Sequence, residues 1–350
     1  MFDTKEKVLL IAQGSNSEDA INKILNKEHD KFSECLVYTE TKQPESNYEN
    51  NDKRSNVFQE LINQRVSFTS KPIDLESFVS ENKIESVYIS LGLDQADQLN
   101  HWVTELNNTT TTIKFIPDLS KVNLASSQVD ASTELPVISI RENPFKGFKG
   151  LIKRFIDILF SLTIISLLSP LLLFVALGIK LTSPGPIIFR QKRHGFNGQE
   201  FDVYKFRTMS VCENGNNVTQ ATKNDPRVTK IGAILRKTSI DELPQFFNVL
   251  EGTMSVVGPR PHPVNLNYRF KTEIDGFWSR HIGVPGITGL AQVNKCRGET
   301  ATVEDMEKRV HYDLEYIKHW NILLDIKIMF LTAYQLTASI FKINTIQEVY

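Results

Sequence analysis

Two neighbouring acids, Asp241 and Glu242, stand among cations: Arg236 and Lys237 precede them, and Arg260 follows between Pro259 and Pro261. Two carboxylates among fixed cations suit phosphate chemistry. One acid can attack phosphorus while its neighbour holds a divalent metal. The cations bind phosphate oxygens, which arginine does with a planar fork. A plainer reading is also open. Pro244 fits the first turn of a helix, so a helix start falls near Asp241. Asp241 is then an N-cap, and Ser239 with Glu242 spells a capping box. The two readings are compatible, because the positive end of a helix keeps an aspartate ionised and favours nearby phosphate.

The elements around this stretch are legible in outline. Ser183-Pro184-Gly185-Pro186 is a hard turn. Ile187 to Arg190 and Phe201 to Phe206 read as a β-hairpin, with Gly195 and Gly198 between them. Lys205 and Arg207 then share one side of a strand, as surface cations or as phosphate ligands. The glycine-rich run Val284 to Val293 lets backbone approach a ligand, though its spacing alone gives only a turn. A helical pattern from Val303 through Met306, Val310, Leu314 and Ile317 continues past Trp320. The uncharged tail from Ile328 to Phe341 is 14 residues, too short to span a bilayer. Tyr316, Trp320 and Tyr334 suit a helix lying at a membrane interface, or one packed on its own core.

From Ile158 to Ile179 the chain runs 22 residues without a charge, long enough to cross a membrane. Ser169-Pro170 sits at its centre, where proline kinks a helix and Ser169 can satisfy backbone groups that Pro170 frees. Both flanks are cationic, with Lys149, Lys153 and Arg154 before and Lys180, Arg190, Lys192 and Arg193 after. Cations favour the cytoplasmic side. A re-entrant hairpin satisfies both ends, whereas a straight span puts the two halves of the chain on opposite sides.

The formal net charge of −1 hides an asymmetry: residues 1–145 carry 14 basic against 23 acidic residues, and 146–350 carry 26 against 18. A basic half meets nucleic acid, anionic lipid or phosphorylated substrates. Cys35, Cys212 and Cys296 lack metal-ligand spacing and read as free thiols in a reducing compartment. The polar N-terminus reads as no signal peptide. In the acidic half, Val8 to Ala12, Leu36 to Tyr38, Ser86 to Leu91 and Ile113 to Ile116 read as strands. Helical patterns lie between them, at Ala20 to Leu25, Phe58 to Ile62, Leu75 to Val79 and Leu99 to Leu106, which implies a parallel doubly wound sheet. Its first turn, Ala12-Gln13-Gly14-Ser15-Asn16, holds one glycine rather than a dinucleotide fingerprint. A degenerate Rossmann-like domain with a structural or regulatory role is expected, nucleotide binding being the other option.

Six ordered motifs carry a family resemblance over residues 135–337. They are Lys153-Arg154-Phe155-Ile156-Asp157, Ser169-Pro170, Lys205-Phe206-Arg207-Thr208-Met209, Asp241-Glu242-Leu243-Pro244-Gln245, Val257-Gly258-Pro259-Arg260-Pro261 and Pro285-Gly286-Ile287-Thr288-Gly289. The chain resembles the bacterial polyprenyl-phosphate sugar-1-phosphate transferases, the monotopic phosphoglycosyl transferases, and in particular the long undecaprenyl-phosphate glucose phosphotransferase type. The resemblance implies an α/β protein: a Rossmann-like domain (1–135), a linker (136–150), a re-entrant membrane hairpin (151–182) and a mainly α catalytic domain with a small β-hairpin (183–341). It implies that Asp241 attacks the β-phosphate of a UDP-sugar, releasing UMP and forming a phosphosugar-aspartyl ester that undecaprenyl phosphate then takes. Glu242 would hold Mg²⁺, and Arg236, Arg260, Lys205 and Arg207 would bind phosphate. The site would face the cytoplasm at the inner membrane, with no nucleic-acid partner; a homo-oligomer is compatible. Arg297-Gly298-Glu299-Thr300 resembles glucose-transferring members, so UDP-glucose is expected, with UDP-galactose or an N-acetylated UDP-sugar as alternatives. A non-catalytic scaffold for polysaccharide assembly is the competing class. Long members usually begin with several transmembrane helices, which this sequence lacks. Thr253 and Lys295-Cys296 also depart from the family pattern.

Overall fold

The computed structural model describes residues 6–12, 32–39, 66–69, 74–118, 138–210, 225–296 and 302–347. The chain divides into two compact units, Met1–Asn143 and Pro144–Tyr350.

The first unit is built on one sheet. Its strands are β1 (Glu6–Ala12), β2 (Phe32–Thr39), β3 (Val66–Thr69), β4 (Ser86–Gly92), β5 (Thr112–Asp118) and β6 (Ile138–Arg141). They lie in the order β3-β2-β1-β4-β5-β6. The first five are parallel and β6 is antiparallel to β5. Leu9 and Ile11 pack with α1 (Leu75–Glu81) and α2 (Ala96–Glu105) through Leu75, Val79 and Trp102. Val8, Leu10 and Ala12 point to a second buried cluster with Phe32, Cys35 and Tyr88. Both faces are therefore apolar, which is why β1 reads as a continuous hydrophobic run. Burial pushes the Cys35 thiol up to about 12, so it is an inert core residue. The edge strand β6 falls in the stretch expected as linker. Ile138 and Ile140 on it are exposed and give no burial pattern to read. The one-glycine turn after Ala12, the helices expected at 20–25 and 58–62, and Cys212 lie outside the described residues.

The second unit begins with a 36-residue helix, α3 (Gly147–Thr182), which continues through Pro170. The structure shows one helix here rather than two arms separated by a turn. Pro170 cannot donate to the Ser166 carbonyl four residues back. The Ser169 hydroxyl donates to that carbonyl instead, at 2.9 Å. Stretches on either side of this point pack on the unit. Phe160, Ile164 and Ile165 join the cluster of Val203, Phe246 and Val249. Val175 and Ile179 join Phe206 and Leu235. Between and around them Leu167, Leu173 and Phe174 are exposed.

The charged start of α3 is bolted down. Lys153 Nζ donates to the Val257 carbonyl (3.0 Å) and pairs with Asp325 Oδ2 (2.7 Å). Tyr316 OH donates to Asp325 Oδ1 (2.7 Å) and to the same Val257 carbonyl (3.0 Å). Asp157 accepts from Ser255 Oγ and from the Val256 amide. Arg154 donates to the carbonyls of Val249 and Leu250, the last turn of a helix, where a cation is favoured.

The hairpin expected from sequence forms as β7 (Ile188–His194) and β8 (Glu200–Phe206), antiparallel. Gly198 closes it at φ +70°, pressed against Trp278, so both its conformation and its missing side chain are needed. Then come α4 (Lys230–Thr238), α5 (Gln245–Glu251), β9 (Ser255–Val257), α6 (Val264–Glu273), β10 (Gly286–Thr288) and α7 (Leu290–Val293). β9 and β10 are parallel. The glycine-rich run thus approaches backbone: a Cβ on Gly286 would lie 2.1 Å from the Gly258 nitrogen. The helix expected to run on past Trp320 is two, α8 (Val303–Lys318) and α9 (Ile322–Gln347). The break lets Trp320 Nε1 reach Asp325, and Asn321 Oδ1 accepts from the Leu324 amide to start α9. Tyr316 and Trp320 are buried in the core of this unit, so for them packing on the protein's own core is what the structure shows. α9 itself has two different faces. Asp325 and Ile328 are buried, whereas Leu323, Phe330 and Tyr334 are over 70% exposed.

Candidate active site

The acid pair sits between α4 and α5. Thr229 caps α4, its Oγ1 accepting from the Gly232 amide. Ser239 ends the helix in the left-handed region (φ +60°), and a single 3-10 turn, Ile240–Glu242, follows. α5 starts only at Gln245, after Pro244. This corrects the plainer reading of the sequence. Asp241 is not the N-cap of α5, and no side chain caps the 3-10 turn, so the Ser239–Glu242 box is not formed. Both acids are released for other work.

Their surroundings differ sharply. Glu242 Oε1 accepts from Lys205 Nζ (2.8 Å) and Arg260 Nη2 (2.6 Å), and Oε2 lies 3.4 Å from Arg260 Nη1. Burial opposes ionisation of Glu242, but Arg260 and Lys205 outweigh it and hold the carboxyl well below the usual range. Asp241 is 9% exposed, and among the described residues its carboxylate takes no hydrogen bond or ion pair. Burial pushes it up to about 6, against the charges of Lys205, Arg236 and Arg260 and with that of Glu242. Neighbouring acids whose environments drive their proton affinities apart are fitted for separate roles.

The structure thus gathers Asp241, Glu242, Lys205, Arg236 and Arg260. Arg236 reaches the site from α4, its Nε donating to Thr208 Oγ1 (2.9 Å). Arg207 is not brought in as a phosphate ligand. It is 3% exposed, and its Nη2 donates to the carbonyl and hydroxyl of Ser183. Gly185 leaves room for it, since a Cβ there would lie 2.2 Å from Arg207 Nη1. Ser169 and Pro170 lie in α3, and 297–301 lies outside the described residues. In the sequence Arg193 stands only as a flanking cation of the apolar run. It is the last-but-one residue of β7, and its charge bears on both Glu242 and Arg260. Nothing in the local spacing of β7 signals this, because Glu242 and Arg260 lie far along the chain.

Among the described residues no three His, Cys, Asp or Glu side chains converge on a metal position. Glu242, whose carboxylate Lys205 and Arg260 hold, is the residue that would contact Mg²⁺, an ion that keeps several waters and takes further oxygens from substrate phosphates.

Residues 148–339, more than half of the chain, match the bacterial sugar transferase family. The chain belongs to that family. Residues 4–117, within the parallel-sheet unit, match a CoA-binding domain. A UDP-glucose:undecaprenyl-phosphate glucose-1-phosphate transferase of Klebsiella pneumoniae is 47% identical over 268 residues, covering 77% of this chain and 58% of that protein. A transferase of the same name from Escherichia coli is 49% identical over 253 residues, 72% of this chain and 54% of that one. One from Caulobacter vibrioides is 48% identical over 181 residues, 52% and 68% respectively. The chain therefore spans little more than half the length of the first two. All six sequence motifs lie in or against the elements just described: Lys153 to Asp157 and Ser169-Pro170 on α3, Lys205 on β8, the acids between α4 and α5, Arg260 after β9, and Gly286 to Thr288 on β10.

Proposed function

We propose that this chain transfers a sugar 1-phosphate, glucose 1-phosphate first, from a UDP-sugar to undecaprenyl phosphate, releasing UMP. The observation that carries the reading is the contrast within the acid pair. Glu242 is clamped and ionised, while Asp241 is buried, unbonded among the described residues and pushed up to about 6. In the first step an Asp241 oxygen bonds to the β-phosphorus. The bond from that phosphorus to the bridging oxygen breaks, and UMP leaves with the electron pair. In the second, an oxygen of undecaprenyl phosphate attacks the same phosphorus and the Asp241 carboxylate departs. A carboxylate is repelled by a diphosphate, so Lys205, Arg236 and Arg260 must offset that charge. Mg²⁺ bound through Glu242 and the diphosphate oxygens would supply further charge neutralisation. Glucose is favoured because the Klebsiella and Escherichia relatives carry that substrate in their names; UDP-galactose and N-acetylated UDP-sugars are the alternatives.

The test is to give the protein UDP-glucose without lipid and measure its intact mass. A hexose-phosphate adduct with stoichiometric UMP is expected. UMP release that occurs only when the lipid is present, with no adduct, would mean direct transfer and remove the intermediate. Protonation silences the proposed nucleophile. With Asp241 at about 6 in the free protein, kcat/KM for the donor should fall about tenfold per pH unit below that value. A profile flat between pH 7 and 5 contradicts this assignment.

One described helix, α3, is long and apolar enough to cross a membrane, which suggests membrane association. We further propose that it enters and leaves the cytoplasmic leaflet of the inner membrane on one side. The support is that stretches before and after Ser169-Pro170 both pack on the same unit, with cations at both ends. Cysteines placed before Lys153 and after Lys180 should then react with an impermeant reagent from the same face. Labelling from opposite faces would establish a straight span.

A further inference from the structure

Arg260 lies between two prolines, and proline has no amide hydrogen. The Pro259-Arg260-Pro261 segment can therefore be fixed mainly through its carbonyls, and each of the three is held. The Gly286 amide donates to the Pro259 carbonyl at 2.9 Å. Arg280 Nη2 donates to the Arg260 carbonyl, and Arg193 Nη1 to the Pro261 carbonyl. Two of the three anchors are thus guanidinium groups.

The Arg280 anchor is itself held. Arg280 is 2% exposed, in the 3-10 segment Phe277–Ile282, and its Nη2 also pairs with Asp313 Oδ2 of α8 at 2.7 Å. The same nitrogen therefore bridges a carboxylate and the Arg260 carbonyl. Its guanidinium carbon lies 5.6 Å from the Phe277 ring centroid, a contact that also limits rotation of the fork. Asp313 is itself 1% exposed. A pair of charges removed so completely from water is a poor device for stability alone, because desolvation offsets the attraction. Such a pair can serve geometry. Arg260 must place a fork on Glu242 or on phosphate, and a misplacement of about 1 Å in a phosphate-handling group can cost on the order of 100-fold in rate.

The geometry points to Arg280 and Asp313 as positioning residues for the proposed transfer: the pair fixes the main chain of Arg260 and so the aim of its guanidinium. Neither residue reaches the acid pair itself in the contacts described. This inference rests on the reading of Arg260 as a phosphate ligand.

The experiment is a double-mutant cycle on the full chain in membranes, read in two ways: calorimetric affinity for UDP and kcat/KM for UDP-glucose. Arg280→Met is expected to weaken both by roughly the factor that Arg260→Ala does. In the Arg260→Ala background, Arg280→Met should change either by less than about twofold, because its effect has already been removed. In a Lys205→Ala background its full effect should remain. Arg280→Lys, which keeps a donor and the charge, should recover part of the loss. Thermal melts identify any variant that does not fold; Asp313→Asn, nearly isosteric, then takes the place of Arg280→Met in the same cycle. Equal losses with and without Arg260 would show a general structural role and overturn the proposal. UDP binding that follows the cycle in a wild-type protein with no turnover would instead leave the positioning intact and remove the proposed reaction.

Discussion

Asp241→Asn should abolish sugar-phosphate transfer and, at the same time, make the folded protein more stable. A carboxamide cannot form the aspartyl ester, so the expected loss is on the order of 10⁴-fold or more, the scale found when a covalent nucleophile is removed. The gain in stability follows from the cause of its pKa. Burial raises Asp241 from 3.8 to about 6 in the folded protein. Between those values the unfolded chain binds fewer protons than the folded one, so stability falls as pH rises through this window. The penalty is complete above about pH 6 and absent below the unfolded value. A shift of about two units corresponds to roughly 3 kcal/mol. Asparagine carries no such penalty, so the variant should melt several degrees higher than the parent at pH 8. The difference should shrink to nothing as pH approaches 4. Identical melting curves at pH 8 would contradict the burial that sets Asp241 apart from Glu242, whatever the activity assay gives.

Which residues gather at this site was largely legible because they are local. Asp241, Glu242, Arg236 and Arg260 lie within 25 residues of one another, so their side-chain types could be read together as a candidate phosphate site beside the plainer helix-cap reading. Geometry was less legible. Ser239 takes a left-handed conformation that serine rarely adopts, so the expected capping box could not be distinguished from the turn that forms. Arg207 was placed beside Lys205 by strand alternation. β8 stops at Phe206, and the Ser183 carbonyl beyond the proline turn claims the guanidinium. Periodicity ran unbroken through Trp320, yet the chain breaks there because Trp320 and Asp325 must meet Lys153. Lys153 and Asp325 are 172 positions apart, and β10, α7 and the first half of α8 lie between Arg280 and Asp313. No spacing rule announces such partners. The same holds for β3 and β6, which are four residues long and flank the sheet.

Glu242→Gln should act on stability in the opposite direction to Asp241→Asn, although the two residues adjoin. Lys205 and Arg260 are mostly buried and share Glu242 Oε1 at 2.8 and 2.6 Å. Arg193 adds a third positive charge nearby. Removing the one carboxylate that both cations contact leaves them facing each other, and breaking a buried pair in this way costs about 3–5 kcal/mol. The sign with pH also differs. Glu242 is held well below its ordinary value, so its contribution is present above the unfolded pKa and is lost only as pH falls through the folded one. The deficit of the variant should therefore persist from pH 8 down to pH 5, where that of Asp241 is already fading. A diphosphate offers the same cations a substitute anion. Saturating UDP should then raise the melting temperature of Glu242→Gln more than that of the parent, because binding to the folded state alone stabilises it and here also relieves the unpaired charge. A variant as stable as the parent, or one that UDP stabilises no further, would mean that Lys205 and Arg260 do not depend on Glu242 for their charge balance.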